Sequence, residues 1–229
     1  MRTELIIEAS AGRGPRIHAL GGLAVRQTGP ATVHLIGTAI TPLGGDHIDI
    51  TLRLGPGTRL AVRTVAATVA LPGRATSRST SRWTIELGAG AHLDLVPEPT
   101  IVAGTAVHET TTAITAAPDA TARISERIQI GRTGETGQGS WQGTTTARLD
   151  DGTPVLAHTL VLGARDALGA ATALDSVLEL GRRAPEQIEH NTGRSVLDGD
   201  PRAARAALGL PHGGTLTTWI GERLPPLRG

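Results

Sequence analysis

The chain has 229 residues, and 22 basic residues against 21 acidic ones give a net charge of +1 at pH 7. It contains no Cys, Phe or Tyr, and every basic residue is Arg. These counts exclude disulfides, thiolate metal sites and Cys nucleophiles, and a P-loop is excluded because it needs Lys. The arginines are scattered and aromatic residues are nearly absent, so we expect no nucleic-acid partner.

The sequence shows no sign of a membrane segment. The first residues, MRTELIIEAS, lack the apolar segment of a signal peptide. No stretch approaches the roughly 18 apolar residues of a membrane span. We therefore expect a cytoplasmic protein with no membrane partner.

Alternation of apolar and polar residues predicts β-strands along most of the chain. The first clear strand covers 47–54, and the sequence GPGT at 55–58 is typical of a type II turn before a return strand at 59–69. Many short strands punctuated by Gly and Pro predict an all-β fold. Further strands are expected around 83–87, 91–96, 100–107, 122–130, 141–149, 155–162 and 174–180.

One internal repeat links two of these segments. LRLGPGTRLAV at 52–62 matches IELGAGAHLDL at 85–95, an offset that suggests stacked layers of strand, glycine turn and strand. The sequence RATSRSTSR at 74–82 is interpreted as a solvated loop. Asp200 as N-cap, Pro201 at the first helical position and Gly209 after the end predict a short helix over 201–208.

Catalytic motifs are not found. The sequence HETTT beginning at His108 lacks the second His of a zinc-protease helix, and Ser140 directly follows Gly139 rather than standing in G-x-S-x-G. No nucleophile–base pairing is evident from the sequence. We therefore expect a protein that is not an enzyme.

Several predicted strands place a polar residue on the apolar face. Asp46 is an even number of residues away from Ile48 and Ile50, so it has the same parity and its side chain points to the same face of the strand. Glu126 has the same relation to Ile124 and Ile128. Thr68 and His158 also lie on the apolar faces of their own predicted strands. A buried carboxylate needs a donor, a cation or water, so a hydrated passage through the core is one explanation.

Each of these residues also has a simpler interpretation. Asp46 follows two glycines and could cap a turn, Glu126 could pair with Arg132 or Arg123, and Thr68 could hydrogen-bond locally. His158 is more easily explained as a core or interface histidine than as a ligand. A β-bulge would also move the side chains that follow it to the opposite face of the strand.

A second type of candidate lies on one strand. His92 and Asp94 are two residues apart, so they share a face and could chelate a metal ion. Leu93 and Leu95 take the inner face, which places this pair toward solvent. We keep both as candidate metal ligands.

The ordered blocks GGDHIDITLRLGPGTRL, VAATVAL, GAHLDLVPEPTIVAG and ERIQIGRTGET resemble those of the urease accessory protein family UreD, also called UreH. The likeness covers about 20–162 and is closest to the short, Arg-rich actinobacterial type. The family's Lys and Tyr are missing from AATVAL at 66–71, and PEPT at 97–100 replaces the family's PQET. The C-terminal third matches poorly.

The resemblance implies an all-β scaffold of stacked or β-helical sheets with one or two short C-terminal helices. It implies a single domain over 1–229, with an N-terminal strand region at 1–20, a β-scaffold at 20–180 and a C-terminal segment at 181–229. It also implies binding to the urease structural subunits and to the accessory protein UreF, and through UreF to the GTPase UreG.

The family role is the delivery of nickel, for which an internal tunnel has been proposed. Asp46, Thr68 and Glu126 lie in matching blocks, so we expect them to line such a passage and to bind Ni²⁺ weakly and transiently, with no tightly bound cofactor. Two other functions remain open, namely a β-sheet protein-binding module without a metal role and a β-fold hydrolase.

Overall fold

The computed structural model describes residues 1–135, 139–163, 171–181 and 203–226. Within these residues all the regular elements are β-strands, which confirms the all-β prediction. The strands are β1 Arg2–Ala9, β2 Arg16–Leu20, β3 Leu23–Gly29, β4 Thr32–Gly37, β5 His47–Leu54, β6 Arg59–Thr64, β7 Thr68–Ala70, β8 Arg78–Leu87, β9 His92–Leu95, β10 Thr100–Val102, β11 Val107–Ala116, β12 Thr121–Ile130, β13 Ser140–Leu149, β14 Pro154–Gly163, β15 Ala173–Leu180, β16 Ala204–Gly209 and β17 Gly214–Gly221.

The strands form two sheets that pack face to face, as in a β-solenoid. The first sheet has the order β14-β13-β11-β8-β5-β1-β2, and the second runs β16-β17-β15-β12-β9-β6-β4-β3. The chain passes from one sheet to the other and back, so β5, β8, β11 and β13 are parallel neighbours and so are β4, β6, β9 and β12. The short strands β7 and β10 extend the second sheet beside β12.

The sequence repeat corresponds to two successive coils. Leu52 of β5 pairs in register with Ile85 of β8, and Leu60 of β6 pairs with Leu93 of β9. The repeat therefore stacks on itself, strand upon strand.

The glycine turns join the two sheets and do not close hairpins. Thr58 N donates to Gly55 O at 3.2 Å, and Gly57 has the positive φ of 65° that a type II turn needs at its third position. The next strand, β6, then lies in the opposite sheet. The expected return strand 59–69 is divided into β6 and β7, with residues 65–67 exposed between them.

Two predictions of local structure were wrong. The predicted helix 201–208 is replaced by β16, which pairs antiparallel with β17, while residues 200–202 lie outside the described part of the chain. The segment is rich in Ala, Arg and Leu, which favour helix, but pairing with a neighbouring strand overrides this local propensity. The predicted loop 74–82 is half strand, because β8 begins at Arg78 and pairs with both β5 and β11. The division of the chain into three regions stays a prediction.

The core is divided between two clusters. The larger cluster fills most of the space between the sheets and includes Leu5, Leu52 and Leu93. The smaller cluster lies near the start of β13 and includes Trp141, Ile128 and Leu162. In the part of the chain that the structure describes, no helix is long and apolar enough to cross a membrane.

Packing at Gly143 gives a test of the fold. A Cβ atom there would lie 2.2 Å from Cζ2 of Trp141, whose ring is buried and whose Nε1 donates to Thr110 Oγ1 at 3.1 Å. We expect Gly143→Ala to lower the free energy of unfolding by about 1–3 kcal/mol, the usual cost of overpacking. Gly209→Ala, where a Cβ meets nothing within 4 Å, is the control. Urea denaturation of both variants measures the difference, and equal stability would contradict the packing described.

Candidate functional site

A cavity of about 350 Å³ lies between the two sheets and separates the two core clusters. This volume has room for on the order of ten water molecules. Its walls mix apolar side chains with many polar ones. The polar lining residues are Thr41, Thr64, Thr68, Ser81, Glu98, Thr100, His108, Thr110, Thr112, Ser125, Glu126, Arg127, Thr145, His158 and Ser176.

The polar wall on the first sheet follows from the parallel register. Thr112 of β11 pairs with Thr145 of β13, which pairs with His158 of β14. Ser81 of β8 pairs with Thr110 of β11 one step along the strands. Residues of the same parity therefore form rows of hydroxyl and imidazole groups across four strands.

His108 anchors one end of this wall. Its Nδ1 contacts Ser79 Oγ at 2.9 Å, and its Nε2 contacts Ser81 Oγ at 3.2 Å. Burial lowers the pKa of His108 to about 4, so its ring is neutral at physiological pH. Because His108 lies on strand β11, the helical zinc motif considered for HETTT is ruled out by structure as well as by sequence.

Glu126 lies on the opposite wall, in β12. Among the described residues its carboxyl group forms no hydrogen bond or ion pair, and its cross-strand neighbour is Ser176. The group faces the cavity but is enclosed by protein, and this burial raises its pKa to about 7. The alternative prediction, in which Glu126 pairs with Arg132 or Arg123, is wrong. Arg132 binds Glu135, and Arg123 approaches Asp94 at 3.9 Å.

Thr68 also lines the cavity. It begins β7, where it pairs with Thr100 of β10, and its amide donates to Pro99 O at 2.9 Å. Thr100 in turn pairs with Ile128, two residues after Glu126 in β12. The structure therefore brings Thr68 and Glu126 to the walls of one cavity.

His158 is a further ionisable residue of the cavity wall, which also includes Glu98 and Arg127. Its Nδ1 is buried and has no hydrogen-bond partner in the described part of the chain. Burial lowers the pKa of His158. The side chain of His158 therefore points inward, as the alternation predicted. It is not a core histidine with all its hydrogen bonds formed, because Nδ1 lacks a partner in the described residues.

Asp46 is buried on the same face as Ile48 and Ile50, as its parity predicted. It does not line the cavity, however. Its carboxylate accepts from Leu43 N at 2.8 Å and from Thr41 Oγ1 at 3.0 Å, and it pairs with the amine of Met1. Burial alone would raise the pKa of Asp46, but these hydrogen bonds hold it below its usual value. Asp46 thus organises the loop that precedes β5, as its turn-capping interpretation suggested.

His92 and Asp94 share the outer face of β9, away from the cavity. His92 Nδ1 contacts Thr121 Oγ1 at 2.7 Å, while Asp94 pairs with Arg63 and lies 3.9 Å from Arg123. Both candidate ligands thus have protein partners. In the ranges that the structure describes, no three His, Asp or Glu side chains are grouped as a metal site would require.

Sequence reasoning missed the pairing of His108 with two serines. The sequence did contain a signal for this residue, because His108 lies on the same face of β11 as Thr110, Thr112 and Ile114. What the sequence lacked was the parallel alignment of β8 with β11, which brings Ser79 and Ser81 to the ring.

Comparison with known proteins assigns the chain to a family. The model of the UreD urease accessory protein family matches residues 19–229. The chain belongs to the UreD family. A UreD from Parafrankia sp. is 40% identical over 194 residues, covering 80% of this chain and 64% of that protein. A UreD from Frankia casuarinae is 36% identical over 189 residues, covering 76% and 59% respectively.

A third relative, UreD 1 of Saccharopolyspora erythraea, is 39% identical over 142 residues, or 62% of this chain and 55% of that protein. The chain thus matches less than two thirds of the length of these UreD relatives. The actinobacterial sources of these proteins agree with the resemblance drawn from the sequence blocks.

The pKa of Glu126 predicts a pH dependence of stability. A carboxyl whose pKa rises from 4.5 when unfolded to about 7 when folded binds more protons in the folded state, so stability is lost as pH rises through this range. The loss by neutral pH is up to about 3 kcal/mol. His108 acts in the opposite direction between about pH 4 and 6.5. We therefore expect the difference between wild type and Glu126→Gln to change with pH, as measured by urea denaturation at pH 5 and pH 7.5.

A constant difference between these two proteins at both pH values would contradict the assignment of a raised pKa to Glu126. Glu86→Gln on the outer face, where the carboxylate is exposed and contacts Arg53 at 3.2 Å, is the matched control.

Proposed function

We propose that this chain is a non-enzymatic scaffold of urease maturation and that its internal cavity forms part of a route for nickel. Membership of the UreD family supports the role in maturation. The cavity supports the route, because polar side chains line a space between two sheets that could have packed an apolar core. The presence of Glu126 without a partner on the cavity wall carries the proposal.

The ligands facing the cavity suit a passing cation. Glu126 offers oxygen, His158 offers an imidazole ring, and the threonines offer hydroxyls. Oxygen and imidazole ligands suit divalent metals of intermediate softness such as Ni²⁺, although they are not selective for it. Dispersed ligands bind weakly, and weak binding lets an ion leave again.

The protonation state of Glu126 favours reversible binding. With a pKa of about 7, the carboxyl carries a proton in a large share of molecules at neutral pH. An arriving cation displaces that proton and gains a carboxylate ligand, and the proton returns when the cation leaves. The cavity therefore avoids a permanent, uncompensated negative charge.

The partners follow from the family. We propose that the scaffold binds the urease structural subunits and UreF, and that UreF brings in the GTPase UreG. The cargo ion then passes between neighbouring proteins of one complex. The main alternative is a protein-binding module of the same complex without any metal role.

A hydrolase is the weaker alternative. The contact between Ser81 Oγ and His108 Nε2 has the residue types of a nucleophile and a base. The other ring nitrogen faces Ser79, however, and not the carboxylate that orients the imidazole in a catalytic triad. A histidine with a pKa of about 4 is also a weak base.

The test of the nickel route is Glu126→Leu. The substitution removes an unpaired carboxyl and adds an apolar side chain next to Ile124 and Ile128, so we expect equal or greater thermal stability. Binding to urease and UreF should be retained. The nickel content of urease matured with this variant should fall several-fold, as measured by metal analysis of the purified urease.

Glu86→Leu provides the control, since the same change on the exposed outer face removes only a surface ion pair of small value. Normal nickel content with a folded, complex-forming Glu126→Leu protein would overturn the route at this residue and favour the module without a metal role. A severe loss of stability would show that Glu126 has a structural partner.

A further inference from the structure

A short segment that follows β17 runs over the outer face of β12. Residues 222–226, with the sequence ERLPP, belong to neither sheet, and we call them the C-terminal strap. Pro225 and Pro226 have no backbone N–H, so they cannot donate to a neighbouring strand. Leu224 and Pro225 each precede a proline, which favours an extended backbone. The strap is therefore a peptide segment that lies against the sheet without joining it.

Gln129, on the outer face of β12, binds the backbone of the C-terminal strap. Its Nε2 donates to Glu222 O at 3.2 Å, and its Oε1 accepts from Leu224 N at 3.2 Å. The same Nε2 lies 3.2 Å from Thr172 O, a contact outside the strap that helps to orient the amide. Thr172 Oγ1 also donates to Glu222 O at 2.7 Å. Since these contacts use only main-chain atoms of the strap, they do not depend on its side chains.

Arg127 provides a charged donor at the other end of the strap. It is buried, its Nη2 donates to Pro225 O, and its Nε lies 3.6 Å from Oδ2 of Asp175, its cross-strand neighbour. In the described part of the chain this Nε has no hydrogen-bond partner. A buried donor without a partner is costly. The strap therefore leaves one donor of this face unused.

A tryptophan lies in the same row of the outer face. Asp175 pairs with Trp219 of β17, so Arg127, Asp175 and Trp219 are neighbours across three strands. Gly221 makes room for the indole ring, because a Cβ atom there would lie 2.5 Å from Cη2 of Trp219. The ring therefore extends along β17 towards the start of the strap. Aromatic side chains line the sites that bind extended, proline-rich peptides.

The donors and acceptors on this face favour one kind of ligand. Gln129 Nε2, Thr172 Oγ1 and Arg127 Nη2 donate to the strap, and Gln129 Oε1 alone accepts from it in the described residues. An ordinary peptide residue carries one N–H for each carbonyl, whereas proline carries only the carbonyl. A proline-containing segment therefore matches the excess of donors. Nucleic acid is disfavoured, because the charge of Arg127 is buried beside Asp175.

We infer that the outer face of β12 is a binding site for an extended, proline-containing segment of a partner protein, and that the C-terminal strap fills this site in cis until such a segment displaces it. The strap shows the pattern that the site accepts, namely a carbonyl, an N–H two residues later and then the carbonyl of a proline. Glu126 points to the opposite face of β12, towards the cavity. The inference therefore does not depend on the proposed route for nickel.

The experiment offers the strap to the full chain as a separate peptide. A fluorescently labelled peptide GERLPP, matching residues 221–226, is titrated into wild type and into Leu224→Pro, with binding followed by fluorescence anisotropy. Leu224→Pro removes the N–H that Gln129 Oε1 accepts and leaves the site itself unchanged. Because the tethered strap of wild type competes with the peptide, we expect the variant to bind about tenfold more tightly. A chain that ends at Gly221 lacks the strap and should bind at least as tightly as the variant.

Two controls test the site and the proline separately. Adding Gln129→Ala to the variant should abolish peptide binding, whereas adding Gln142→Ala, at an exposed glutamine of β13 in the other sheet, should leave it intact. The peptide GERLAA presents two further N–H groups for which the site has no acceptor, so it should bind about tenfold more weakly. The melting temperature of each protein establishes that it is folded.

Peptide binding that needs a loosened or absent strap, needs Gln129 and prefers proline supports the inference. The inference is overturned if GERLPP does not bind the folded variants, binds wild type equally well, or binds no better than GERLAA. It is also overturned if wild type is a dimer that becomes a monomer without the strap, since the ligand is then a second copy of this chain. If neither Leu224→Pro nor the chain ending at Gly221 folds, the strap is a fixed part of the structure and the inference is wrong.

Discussion

Parallel, in-register pairing is the constraint on which the rest of this structure depends. In a single strand the alternation of side chains only decides which residues face inward. When β5, β8, β11 and β13 lie side by side in register, the inward residues of each strand join into rows that cross the sheet. One Ser or Thr in each of two parallel neighbours is then enough to form a polar row, such as Thr112 and Thr145, and the antiparallel strand β14 extends this row with His158.

A polar layer of this kind cannot pack like the apolar layers on either side. Some of its groups satisfy one another, as His108 does with Ser79 and Ser81, and as Ser176 does with Thr218 at 3.1 Å. The remaining groups need space and water, because a buried polar group without a partner is costly. The core therefore contains two apolar clusters and a cavity, and burial at the cavity wall raises the pKa of Glu126 to about 7.

The sequence was informative wherever one strand was sufficient to decide the outcome. Period-2 alternation located β5 and predicted the inward side of Asp46 and Glu126, since these depend on local geometry alone. It could not show that the turn at Gly55–Thr58 leads into the opposite sheet, because a type II turn is compatible with a hairpin and with a coil. The strand at Ala204–Gly209 was missed for the same reason, since only its pairing with β17 distinguishes it from a short helix.

In the candidate site, too, the sequence predicted what depends on one strand and not what depends on strand pairing. Thr68 and Glu126 were found by parity, and the register of β7, β10 and β12 brings them to one cavity. Asp46 has the right parity but lies one step beyond the cavity, where the first residues of β5 meet the preceding loop. Alternation fixes the face to which a side chain points, but it does not fix where along the strand the cavity lies. That position depends on where each neighbouring strand begins.

The position of Asp46 connects the interior of the molecule with its surface. Thr80 N donates to Asp46 O at 3.0 Å, so the residue is fixed by β8, the strand whose Ser81 lines the cavity. Its carboxylate holds Thr41 and Leu43 in the loop between β4 and β5. The carboxylate has enough donors to stay ionised there, in contrast to Glu126, whose burial without donors favours the neutral form. Two inward carboxyl groups on equivalent faces thus differ in charge because one is surrounded by donors and the other by a cavity. The same alternation therefore produces a fixed carboxylate at the start of β5 and, at Glu126, an interior carboxyl group whose charge changes near neutral pH.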